Sequence, residues 1–216
     1  MDGPLLDSAL LQCLFRIAEI EYLRTETEQQ CRFQYRSCLY CVNPSPPFQY
    51  RYPVSKTIPI RYVSPVFRPP SEARSLILPV TNGCSWNKCT YCEMYTEPQK
   101  KFQVREEQET LDSIRLCGEQ FPYQVQRVFL GDGDAMVLST RRLMTLLAAI
   151  KEHLPAVRRV STYCLPRNVR NKSVAELQEL RAEGLSLGYV GADSGDDEGL
   201  RKVSKGETYG SCQAIC

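Results

Sequence analysis

The chain has 216 residues, 43% of them hydrophobic, with 27 basic and 25 acidic side chains and a formal net charge of +2. That length supports one good-sized core, or a core domain with an extension, and the even spread of charge excludes a basic nucleic-acid face and an acidic tail. Eleven cysteines, about 5% of the chain and odd in number, fall short of a secreted disulfide scaffold and fit a reducing compartment.

The N-terminus carries Asp2 and Asp7 before Leu10 and Leu11. It lacks the basic start and clean apolar stretch of a leader, and no later run approaches the ~20 apolar residues of a membrane span. Cytoplasm or an organelle matrix is therefore expected, with neither secretion nor membrane contact. From Leu5 to Leu23, Leu6, Leu10, Leu14, Ile17 and Ile20 recur at helical spacing and predict an amphipathic helix packed on its own domain. A stretch rich in Gln, Arg, Tyr and Cys follows. The prolines from Pro44 to Pro70 then deny helix and central strand, which predicts an extended linker or wrapping arm.

From Ser75 the pattern turns regular. Strands are expected over Leu76 to Val80, Val125 to Leu130, Val157 to Tyr163 and Leu187 to Val190. Helices are expected over Arg105 to Gln120, Ser139 to His153, Ser173 to Glu183 and Asp196 to Val203. Ser173 with Glu176 three residues on reads as a capping box, and Gly184 stops that helix. Lys205-Gly206 reads as a helix C-cap, and His153 as a cation at a helix end. The tail Tyr209 to Cys216 shows no periodicity. Repeated βα units imply a parallel sheet, open or curved into a barrel, with ligands at the carboxyl ends of its strands. The organisation expected is residues 1–70 as helix plus proline-rich extension and 71–216 as a core of four βα units.

Four loops meet at those carboxyl ends. Cys84, Cys89 and Cys92 follow the first strand, Gly131-Asp132-Gly133-Asp134 the second, Cys164-Leu165-Pro166-Arg167-Asn168 the third, and Asp193-Ser194-Gly195 the fourth. Three thiolates in one loop with no fourth close by can hold an iron–sulfur cluster while leaving one iron open to a ligand that is not protein. Zinc is the competing reading: Cys38 and Cys41 could join Cys89 and Cys92 as paired knuckles, which would leave Cys84 over. Cys31, Cys38 and Cys41 read as a second cluster or as buried or free thiols; Cys13, Cys117 and Cys164 read as core, with Cys164 close enough to reach the site. Arg167 and Asn168 either contact a cofactor or cap the third strand.

The triplet with Tyr91 before its last cysteine, the glycine–acid turn and the acid-Ser-Gly turn together resemble the radical S-adenosylmethionine (radical SAM) superfamily, over Ser75 to Thr208. The resemblance is to an uncharacterised branch of iron–sulfur oxidoreductases, and it implies a partial TIM-type barrel. It further implies a 4Fe-4S metal centre on Cys84, Cys89 and Cys92, with S-adenosyl-L-methionine bound at the open iron. One electron then cleaves that cofactor to methionine and a 5'-deoxyadenosyl radical, which acts on a substrate the sequence does not specify. By the same resemblance Tyr91 lies against the adenine. The turn Gly131, Asp132, Gly133 and Asp134 binds the cofactor, backbone carbonyls of Gly131 to Gly133 accepting from its ammonium, and Asp193 and Ser194 hold the ribose or methionine portion. A flavodoxin or ferredoxin type electron donor is implied.

Three departures from the family pattern stand out. Four residues, Ser85 to Lys88, separate the first two cysteines where three are commonest, and Asp193 stands where Glu is more usual. The family barrel usually continues for about two more βα units, so the chain resembles the first two-thirds of a catalytic core, truncated, with a sheet edge that a partner or second copy would cover. The alternatives are a zinc-stabilised binding module, or a truncated cluster-binding protein without catalytic activity.

Overall fold

A computed structural model describes residues 58–215. The helix expected over Leu5 to Leu23, the linker as far as Thr57, and Cys13, Cys31, Cys38, Cys41 and Cys216 lie outside the described residues.

Strand β1 (Leu76–Pro79) is followed by β2 (Thr81–Asn82), β3 (Gln103–Val104), helix α1 (Glu107–Gln120), β4 (Arg127–Gly131), α2 (Thr140–His153) and β5 (Arg159–Tyr163). Then come α3 (Pro166–Arg170), α4 (Val174–Ala182), β6 (Leu185–Tyr189), α5 (Asp197–Lys202) and α6 (Tyr209–Gln213). Strands β1, β4, β5 and β6 form one parallel sheet in that order, each laid beside its predecessor, which is the pattern of a partial TIM-type barrel. Leu78 pairs with Leu130 and Val128 with Val160.

The expected strands and helices are all present, with ends shifted by a residue or two. Three features were not legible in the sequence. Strands β2 and β3 pair antiparallel across the cysteine loop, a two-residue ladder too short to show a period. Helix α3 begins on Pro166 inside what reads as a loop. The tail read as aperiodic contains α6, five residues with its own capping box between Thr208 and Ser211.

Period-two alternation divides the sheet. Leu78, Val128, Leu130, Val160 and Leu185 join a core with Ile114 and Cys117 of α1, Leu177 and Leu180 of α4, and four residues of α2. Those four, Leu143, Leu146, Leu147 and Ile150, are 2% exposed or less and follow the helical period. Burying each stabilises by about 1.5–3 kcal/mol, so the stripe outweighs the Ser139 cap, whose hydroxyl accepts the Arg142 N–H at 3.4 Å and contributes about 1 kcal/mol.

The other face of the sheet carries an aromatic group: the Phe129 ring meets that of Tyr163 edge-on at 5.1 Å and lies 6.3 Å from that of Tyr189. Residues 58–75 reach both sides: Ile60 and Tyr62 join the helix-side core, and the Pro70–Glu72 turn meets the aromatic side. Tyr62 donates to the Ile77 carbonyl at 2.9 Å, and the short 3-10 turn Pro70–Glu72 delivers a fully buried carboxylate. Glu72 accepts from Tyr189 and from Arg159, each at 2.7 Å, and from Ser75. Although burial raises its carboxyl, these donors together hold it below the usual range. The described end of the proline-rich segment is thus a wrapping arm.

Candidate functional site

Cys84, Cys89 and Cys92 are free thiols, each half-buried, in the loop between β2 and β3. Burial raises the Cys89 and Cys92 thiols; Cys89 also feels the charge of Asp193, Cys92 and Cys84, while Lys205 pulls it down. For Cys92 the Met94 backbone N–H pulls down, and Cys84 pushes up. Three thiols that repel one another as thiolates are a donor set suited to iron. Among the described residues no three His, Cys, Asp or Glu side chains gather closely enough for a single metal ion. A cluster takes its cysteines on separate irons, so their sulfurs need not meet at one point.

Each of the other rim loops touches this one. After β4, the Gly133 N–H donates to the Gly83 carbonyl at 3.2 Å. A Cβ on Gly133 would lie 2.6 Å from that oxygen and 2.7 Å from Cys84 Cα, so only glycine lets the two turns pack. The carbonyl of Gly131 accepts from Val80 N–H at 2.6 Å. Asp132 pairs with Lys100; both are buried. Burial raises its carboxyl, and the ammonium opposes that.

Asp134 is fully buried. One oxygen accepts from Ser85 Oγ at 2.8 Å and from Asn168, joining the cysteine loop to α3; the other oxygen, Oδ1, has no hydrogen-bond partner. Burial pushes this carboxyl up to about 6 against those two donors and the nearby backbone amides of Leu165 and Met136. Of the β5 loop residues, Asn168 and Arg167 therefore reach the site. Cys164 is buried in the core.

After β6, Asp193 has φ +61° and accepts from Tyr91 Oη and from the largely buried Lys205 ammonium. Burial and the Asp193 charge drive the Tyr91 phenol up. Tyr91 and Asp193, read separately in the sequence, are thus one unit with a lysine between loops. Ser194 Oγ accepts from Asp196 N–H at 3.0 Å, a local turn that opens α5.

The left-handed cap residue of α5 is not Gly206. Ser204, at φ +54°, supplies the left-handed residue: its N–H donates to Arg201 and that of Lys205 to Leu200, each at 3.0 Å, which completes the Schellman motif. Gly206, at φ +71°, instead lies beneath Trp86. Trp86, Lys100 and Glu207 carry no sequence signal as site residues: Lys100 stands in a Pro-Gln-Lys-Lys run whose next lysine is exposed.

A family model described as the Radical SAM superfamily matches residues 78–211, more than half of the chain. No curated protein matches the sequence.

Proposed function

Because the chain belongs to the radical SAM superfamily, we propose that Cys84, Cys89 and Cys92 hold a 4Fe-4S cluster that binds S-adenosyl-L-methionine, and that the protein carries out its reductive cleavage. When bound, such a cluster supplies a single electron to the sulfonium of that cofactor. The observation that carries the reading is the convergence of the loops after β4, β5 and β6 on the cysteine loop, through Gly133–Gly83, Asp134–Ser85, Asn168–Asp134 and Asp193–Tyr91.

The chain's own residues have separable parts in this. The three thiolates bind iron and lower its potential more than imidazole or carboxylate would. Asp193 orients Tyr91, whose exposed ring offers a flat face for the adenine. Lys205 keeps Asp193 paired until a ligand competes for either group. The tight Gly83–Gly133 contact leaves backbone, not side chain, beside Cys84. An acidic flavodoxin or ferredoxin type donor would supply the electron.

The test is anaerobic purification with iron and sulfide analysis, followed by chemical reduction in the presence of S-adenosyl-L-methionine. About four irons per chain, labile sulfide and release of 5'-deoxyadenosine are expected. One zinc and no labile sulfide would refute the cluster; a full cluster without 5'-deoxyadenosine would refute the cleavage.

A further inference from the structure

Trp86, the only tryptophan in the chain, lies between Cys84 and Cys89 in sequence and reaches the turn after α5. Its indole N–H donates to the Ser204 carbonyl at 2.8 Å. One face rests on Gly206, where an added Cβ would sit 2.2 Å from ring atom Cζ2. The Arg167 guanidinium lies 4.1 Å from the ring centroid. Arg167 is itself fixed: it pairs with Glu207 at 2.7 Å and donates to the Gly206 carbonyl, while buried Glu207 also accepts from Ser211 at 2.8 Å.

The same turn takes hold of the other half of the loop. The Thr90 N–H, between Cys89 and Cys92, donates to the Val203 carbonyl at 3.0 Å. Residues 203–207 thus hold one point between the first and second cysteines and one between the second and third. Both anchors come from one turn, and neither involves a metal.

We propose that Trp86 is a positioning residue for the cysteine triplet, clamped by the Ser204 carbonyl and by the adjoining Gly206 and Arg167, so that the 203–207 turn sets the arrangement of the three thiols. The choice of residues follows from the contact. Only glycine leaves room for the ring, an arginine held by a buried carboxylate makes a fixed cationic lid over it, and the indole N–H adds a directional bond that Phe cannot make.

The inference rests on the cluster reading for its spectroscopic arm alone; the fluorescence arm needs no metal. In the metal-free full chain, Gly206→Ala displaces the ring into water, so tryptophan emission shifts to the red and iodide quenching rises several-fold over the parent. Unchanged emission and quenching would overturn the clamp. After anaerobic iron and sulfide reconstitution, Trp86→Ala should alter the EPR signal of the reduced cluster and shorten its lifetime under chelator, with far-UV circular dichroism unchanged. Trp86→Phe, which keeps a ring on Gly206, should restore most of that lifetime. A Trp86→Ala cluster with the parent's signal and lifetime would refute positioning. A parent chain that takes up no iron refutes the cluster reading, and the emission of Gly206→Ala then decides the clamp alone.

Discussion

The Lys100 ammonium and the Asp132 carboxylate form an ion pair in which both side chains are almost wholly withdrawn from water, 1% and 4% exposed. Tyr95 Oη reaches the same carboxylate at 3.5 Å, so the pair braces the β4 turn. Removing one member of a buried pair strands the other charge and costs roughly 3–5 kcal/mol. Lys100→Met should lower unfolding free energy by about that much in urea titration, and adding Asp132→Leu should recover most of the loss. Equal stability of the single variant and the parent would show that the pair holds nothing.

Asp134 gives a pH signature of its own. Its carboxyl is raised in the folded state from 3.8 to about 6, so between those values the folded chain holds a proton that the unfolded chain releases. Stability from this group is present below about pH 4 and falls as pH rises through 6, by about 3 kcal/mol from a shift of about two pH units. Asp134→Asn, which cannot ionise, should show no such fall. The stability difference between variant and parent, measured by thermal unfolding from pH 4 to 7, should therefore widen in favour of the variant as pH rises.

Ser173 and Glu176 form the reciprocal capping box of α4, the serine hydroxyl accepting from Glu176 N–H at 3.2 Å and Glu176 from Ser173 N–H at 2.8 Å. Hydrogen bonds from Thr140 and Ser173 hold the Glu176 carboxyl down at about 2. A lowered carboxyl contributes stability above its unfolded value, and that contribution disappears as pH falls toward 2. Ser173→Ala should cost about 1 kcal/mol at pH 7, and Glu176→Gln should flatten the acid limb of the unfolding curve. An unchanged acid limb would place the cap's strength elsewhere.

Gly133→Ala drives a methyl into Gly83 O and Cys84 Cα. The cysteine loop must move aside, so iron uptake on reconstitution should fall to the level of Cys84→Ala, whereas Cys117→Ala, changed in the core, should keep its iron. Parental iron content in Gly133→Ala would show that the two turns do not depend on each other.

The βα order was legible because its strands are short runs rich in apolar, β-branched and aromatic residues and its helices carry caps and stripes, as in α2 and α4. The radical SAM resemblance was legible in the cysteine spacing and the turns, and the family match spans residues 78–211. What stayed hidden is long-range pairing. Nothing near Lys100 in the sequence announces Asp132, and Gly206 looked like a helix stop because glycine after a helix usually is one; the ring above it comes from 120 residues upstream, between two cysteines. Short elements such as β2 and α3 stayed hidden for want of enough residues to repeat a pattern. Among the described residues no helix is long and apolar enough to cross a membrane.

Glu72 sets a timetable for folding. Its buried carboxylate waits for Arg159 and for Tyr189, partners 87 and 117 positions later in the chain. As the protein emerges from the ribosome, Glu72 therefore lacks its Tyr189 partner until β6 has been made, although Tyr62 can already reach Ile77 of β1. Closing a loop of that size costs entropy that grows with the logarithm of its length, and contacts so distant slow the search for the native state. The Glu72 end of the arm should fasten last, after the helices have already condensed on the opposite face of the sheet.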